Sequence, residues 1–124
     1  MSKMEAKLPR RTKKPWGYEL LLALTSCYAG KLIFIEKDQR LSLQYHRKKD
    51  ESMYVFQGKA ALELETDGKL VQSILKPGDC LHIPPKTKHR LKAIEDTTLF
   101  EVSTPELDDV VRLADDYDRQ IDTL

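Results

Sequence analysis

Residues 41–51 read Leu41-Ser42-Leu43-Gln44-Tyr45-His46-Arg47-Lys48-Lys49-Asp50-Glu51. Side chains along a strand alternate between its two faces. Leu41, Leu43 and Tyr45 therefore point one way, and Ser42, Gln44 and His46 the other. The polar run Arg47 to Asp50 turns the chain, and an antiparallel return brings the Glu51 carboxylate beside His46. An amide, an imidazole and a carboxylate thus become available within one short hairpin.

The same punctuation continues outward. Short apolar stretches alternate with turn signals every eight to twelve residues or so, the pattern of an all-β domain. It predicts strands over Lys31 to Glu36, Leu41 to Tyr45, Met53 to Gln57, Ala60 to Glu65, Leu70 to Leu75, Cys80 to Ile83, Arg90 to Ile94 and Thr98 to Val102. Between them lie Gln57-Gly58, Asp67-Gly68, Pro77-Gly78-Asp79, Pro84-Pro85 and Glu95-Asp96, residue types that turns favour. Asp67-Gly68 is a two-residue hairpin signal. Seven or eight short strands suggest a sandwich or a small barrel. Thr104-Pro105-Glu106 reads as the capped start of a helix, with Asp108 and Asp109 in its first turn.

The chain has 124 residues, 40% hydrophobic and 33% charged, with six prolines and five glycines. That suits one packed domain and excludes collagen-like, low-complexity or wholly disordered readings. The longest apolar run, Leu20 to Leu24, is far short of the roughly 20 residues a membrane helix needs, so no membrane association is expected. The net charge of +1 hides a polarity. Residues 1–14 hold six Lys/Arg against Glu5, whereas residues 101–124 hold eight acids against Arg112 and Arg119. Neither end gives the whole domain a nucleic-acid footprint. The basic segment lacks the apolar stretch of a signal peptide and reads as a flexible leader over residues 1–14. Cys27 and Cys80 have no metal-like spacing, and free thiols in a reducing cytoplasm are the expectation.

Further along, Gly78, Pro84 and His89 put a second imidazole after a Pro-rich turn at the start of a strand. Gln44, His46, Glu51 and His89 can converge inside a small barrel. Imidazole nitrogen with carboxylate and amide oxygen is a donor set suited to a divalent cation of borderline softness such as Zn²⁺.

These residues resemble the cupin motifs: His46, Glu51 and Gly58 match the first, with Gln44 where many cupins have a histidine, and Gly78, Pro84 and His89 match the second. More narrowly, Pro15-Trp16-Gly17, Leu41-Ser42-Leu43-Gln44-Tyr45-His46, Ile83-Pro84, His89-Arg90 and Asp108-Asp109-Val110-Val111-Arg112 resemble the cupin domain of type II mannose-6-phosphate isomerases, across residues 15–119. The resemblance implies a small double-stranded β-helix (jelly-roll barrel) over residues 15–124 with a short C-terminal helical tail. It implies a metal held by Gln44, His46, Glu51 and His89, Zn²⁺ foremost, with Mn, Co, Ni or Fe as alternatives. The activity implied is aldose-ketose isomerisation of mannose 6-phosphate or a related hexose phosphate. Arg112 then contacts substrate, either at its phosphate or at the developing oxyanion, and Lys49 takes a lesser substrate-facing catalytic role. A homodimer is expected from the Leu20 to Leu24 run and from the way cupins pair. Other readings of the same scaffold are an epimerase, an oxygenase or a non-catalytic sugar-binding module. Lys86, the Lys37 to Arg40 turn and Asp118 stand where the family has glycine, which predicts reshaped turns.

Overall fold

The computed structural model describes residues 6–121. Eleven strands occur among them: β1 (Arg10–Lys14), β2 (Gly17–Leu24), β3 (Ala29–Ile35), β4 (Leu43–Tyr45), β5 (Glu51–Gln57), β6 (Ala60–Thr66), β7 (Lys69–Leu75), β8 (Cys80–Ile83), β9 (His89–Ala93), β10 (Thr97–Ser103) and β11 (Val111–Ala114). One sheet runs β1-β2-β3-β10-β5-β8 and the other β11-β4-β9-β6-β7, with every pairing antiparallel. The eight strands expected from the alternation are present as β3 to β10, their ends shifted by a few residues.

Alternation decides which side chains face the interior. On β5, Glu51, Met53 and Val55 are buried while Tyr54 and Phe56 are exposed; on β10, Thr97, Leu99 and Glu101 are buried. The inner faces pack Ile33, Ile35, Val55, Ile83, Leu91 and Leu99 into one core. Each such fully buried aliphatic side chain contributes about 1.5–3 kcal/mol. Two glycines permit close approach between strands. At Gly17 (φ 154°) a Cβ would collide with the Phe34 carbonyl, and at Gly58 (φ 95°) with the backbone of Asp96 and Thr97.

Three expectations are corrected. Residues 10–14, read as part of a flexible leader, form β1, which pairs along its length with β2; Arg11 lies over the Tyr18 ring at 4.0 Å. The other correction of extent concerns the helical tail, since no helix occurs among the described residues and Val111–Ala114 pairs with β4 instead. Two residues expected to start a helix, Asp109 and Thr104, have tertiary partners. The Asp109 carboxylate accepts from the backbone amides of Arg47 (3.0 Å), Lys48 (2.7 Å) and Lys49 (2.9 Å), and Thr104 Oγ1 accepts from the Asp50 amide. Third, the turns lacking family glycines keep a left-handed backbone. Asp38 (φ 68°), Lys86 (φ 63°) and Asp118 (φ 58°) adopt it despite carrying a Cβ.

No helix among the described residues is long and apolar enough to cross a membrane. Cys27 and Cys80 are both exposed free thiols.

Candidate metal centre and its cavity

β4, β5 and β9 set the polar cluster. His46 follows the last residue of β4, Glu51 opens β5 and His89 opens β9. All three are buried. Glu51 Oε1 lies 3.2 Å from His46 Nε2 and 3.3 Å from His89 Nε2. The His46 Nδ1 donates to the Asp109 carbonyl at 2.6 Å and the His89 Nδ1 to the Thr87 carbonyl at 2.8 Å. In the neutral imidazole that leaves each Nε2 as an acceptor.

Burial opposes ionisation of Glu51, but the hydrogen bonds to His46, His89 and Glu101 and the Lys49 charge outweigh it and hold its carboxyl well below the usual range. Three lone-pair donors, one atom from each residue and all within 4.8 Å of one another, therefore converge in a buried place. His89 Nε2 is buried, with Glu51 Oε1 as its neighbour at 3.3 Å. A cation can take the place of the protons that otherwise bridge these atoms; the donor set, with each ring braced from behind by a carbonyl, fits a divalent metal.

Gln44 lines the same cavity from β4, between Arg112 on β11 and His89 on β9 in the strand register. Its Oε1 accepts from Ser42 Oγ at 2.7 Å. Arg112 lines the cavity too. Lys49 does so as a buried ammonium bridging two carboxylates, at 3.2 Å from Glu51 Oε2 and 3.1 Å from Glu101 Oε2. Desolvation works against its charge, but the two carboxylates prevail and raise its pKa. The cavity measures about 320 Å³ and lies between the two sheets, with Trp16, Ile33 and Met53 on its apolar wall.

The bearing of two residues on the site was missed in the sequence. Glu101 is buried in the cavity wall; desolvation first, then its hydrogen bond to Glu51 and that group's charge, push its carboxyl up to about 8. Its parity with Leu99 was the available signal, because an acid on the inward face of a strand needs a reason to be there. Asp109 ties the Arg47 to Lys49 turn to the tail through its carboxylate and braces His46 through its carbonyl. Its place in Asp108-Asp109-Val110-Val111-Arg112 marked it, but a helix start claimed it. His82 sits apart, exposed and paired with Asp50 at 2.6 Å.

Solved structures of known proteins share this architecture. KdgF from Halomonas sp. superposes with a TM-score of 0.66 at 25% identity, over 80% of this chain and 90% of that one. An uncharacterized conserved protein with a double-stranded β-helix domain from Klebsiella pneumoniae gives 0.65 at 15% identity, over 89% and 88%. Bacillus subtilis oxalate decarboxylase gives 0.73 at 15% identity over 90% of this chain, which spans only 33% of that enzyme. No curated protein matches the sequence. Residues 1–115 match the family described as mannose-6-phosphate isomerase C-terminal. With two antiparallel sheets closing on a His/Glu/His cluster, the chain is a cupin and belongs to the mannose-6-phosphate isomerase C-terminal family.

Proposed function

We propose that the protein is a metal-dependent sugar-phosphate isomerase that interconverts aldose and ketose forms of mannose 6-phosphate or a related hexose phosphate. The observation that carries this reading is a buried donor cluster opening into a cationic cavity. Lys14, Lys31, Lys49, Arg90, Arg112 and Arg119 line it against the acids Glu19, Glu51, Glu101 and Asp108. Such a surplus of positive charge suits a phosphate dianion.

In this reading His46, Glu51 and His89, with Gln44 as fourth donor, hold the metal. Zn²⁺ suits them best, and Mn, Co, Ni or Fe are alternatives. Bound there, a divalent metal would supply Lewis acidity toward an oxygen that gains negative charge. The chain's own groups do the rest. Arg112 contacts the substrate anion. Lys49, fixed between Glu51 and Glu101, presents a charge to the sugar. Glu101, whose carboxyl burial pushes up to about 8, can exchange a proton with a substrate oxygen or carbon beside Lys49.

The similarity to KdgF and oxalate decarboxylase favours a second reading, a metal-dependent cupin of another reaction type. A coupled assay of mannose 6-phosphate and other aldose phosphates, with Zn²⁺, Mn²⁺, Co²⁺ or Ni²⁺ added, separates the two. Turnover that disappears in His46→Ala supports the isomerase. No turnover with any metal, despite metal binding, overturns it. Sugar-phosphate binding without turnover would indicate a binding module, and iron bound on purification without added metal would indicate an oxygenase.

We further propose a cytoplasmic homodimer. The outer face of the β1-β2-β3-β10-β5-β8 sheet exposes Tyr54, Phe56 and Val102, the last at 62%. A second copy laid on this face would cover it.

A further inference from the structure

Most cationic side chains of the cavity already have partners. Lys31 pairs with Glu19 at 3.0 Å, and Lys49 bridges Glu51 and Glu101. Arg90 donates to the Leu41 carbonyl at 2.9 Å and to Asp116 at 3.1 Å, while Arg119 is forked onto Asp115 at 3.0 and 2.8 Å. Arg112 is on β11 beside Gln44. Lys14 differs from these: its side chain lines the cavity and makes no hydrogen bond or ion pair with any described residue.

Its position is nevertheless well determined. Lys14 ends β1 opposite Gly17, whose backbone packs against Phe34 where no Cβ fits, and Trp16 between them is buried at 2% exposure. Lys14 itself is partly buried, unlike the exposed Arg10 to Lys13 before it. A cation that lines a cavity without a carboxylate paired to it is available to an incoming anion. A phosphate dianion is one such anion, and lysine serves it as a mobile point charge.

We propose that Lys14 anchors a phosphate subsite at the β1 end of the cavity, so that the site discriminates phosphorylated sugars from free ones. The inference rests on the sugar-phosphate reading above and adds the residue that enforces it, from a strand that the sequence made look like a loose leader. β1 is then part of the binding site.

The test is calorimetric titration of metal-free protein with inorganic phosphate, mannose 6-phosphate and mannose, for wild type, Lys14→Ala, Lys14→Arg and Lys13→Ala, each checked for an unchanged thermal midpoint. The subsite predicts that Lys14→Ala weakens both phosphorylated ligands by about 10- to 100-fold, the range of one hydrogen bond to a charged group. Lys14→Arg recovers most of the affinity, Lys13→Ala changes nothing, and mannose binds all four proteins alike. Lys14→Ala binding phosphate as wild type does overturns the subsite alone, as does an equal loss in Lys13→Ala, which would make the effect one of general charge. If wild type binds neither phosphorylated ligand, the sugar-phosphate reading falls and the subsite with it.

Discussion

Replacing Asp109 by alanine should damage both the fold and the metal centre, by separable amounts. The carboxylate accepts three backbone amides from Arg47, Lys48 and Lys49 at 2.7 to 3.0 Å, in the turn that joins His46 to Glu51. One hydrogen bond to a charged acceptor contributes about 1.5–3 kcal/mol, but this group is near the surface, where water re-solvates the amides and screens the charge. The expected total is therefore nearer that of a strong cap, about 2 kcal/mol. The alanine variant keeps the Asp109 carbonyl that accepts from His46 Nδ1, but the tail holding it is no longer tied to the turn. Loosening such a brace typically costs about 10- to 100-fold in metal affinity.

Urea unfolding of metal-free protein measures the first quantity, and Zn²⁺ competition against a chelator the second. Burial opposes ionisation of Asp109, and the three amides together more than offset it, lowering its pKa. A lowered folded-state value means the stabilisation is complete above the ordinary carboxylate pKa and lost as pH falls through the folded one. The gap between wild type and variant should accordingly be full at pH 7 and close in strong acid. An unchanged urea midpoint together with unchanged Zn²⁺ affinity would refute the bracing argument.

Lys86→Gly should stabilise the protein by up to about 1 kcal/mol, because a left-handed non-glycine residue costs about 1–2 kcal/mol and glycine returns about 0.5–1 kcal/mol of that in entropy; a lower urea midpoint would contradict this. Glu101 has a folded-state pKa near 8, raised chiefly by burial, so the stability of metal-free protein is fully present below the ordinary carboxylate pKa and declines as pH rises through about 8. Glu101→Gln cannot ionise and should flatten that decline in urea midpoints taken from pH 5 to 9; an unaltered slope would show that another group carries it. Val102→Asp, on the exposed apolar face, should convert a dimer to a monomer by light scattering, and a wild type already monomeric at micromolar concentration would remove the dimer proposal.

Much of the barrel was legible because inward and outward residues alternate with period two on strands such as β5, β6 and β10. What escaped depends on partners distant in sequence. β1 is almost wholly charged, and its ordering comes from pairing with β2 and from Arg11 over Tyr18. The tail looked helical because Thr104, Pro105 and the acids satisfy local helix rules, whereas Asp109 meets amides some 60 residues earlier in the chain. The turns at Lys86 and Asp118 were expected to change shape with glycine gone, yet both residues adopt the left-handed backbone. Of the candidate site residues, the structure brings His46, Glu51 and His89 into one cluster and places Gln44, Lys49 and Arg112 around the same cavity. Glu101 shows that burial parity should be read for acids as well as for apolar residues.

The central claim is that His46, Glu51 and His89 form a metal centre in the cavity. Calorimetric titration of chelator-treated protein with Zn²⁺, for wild type and for Glu51→Gln, tests it most directly. One tight site per chain in wild type, weakened at least about 100-fold when the carboxylate becomes an amide, is the result predicted. Equal affinity in the two proteins, or no binding in wild type, would contradict it.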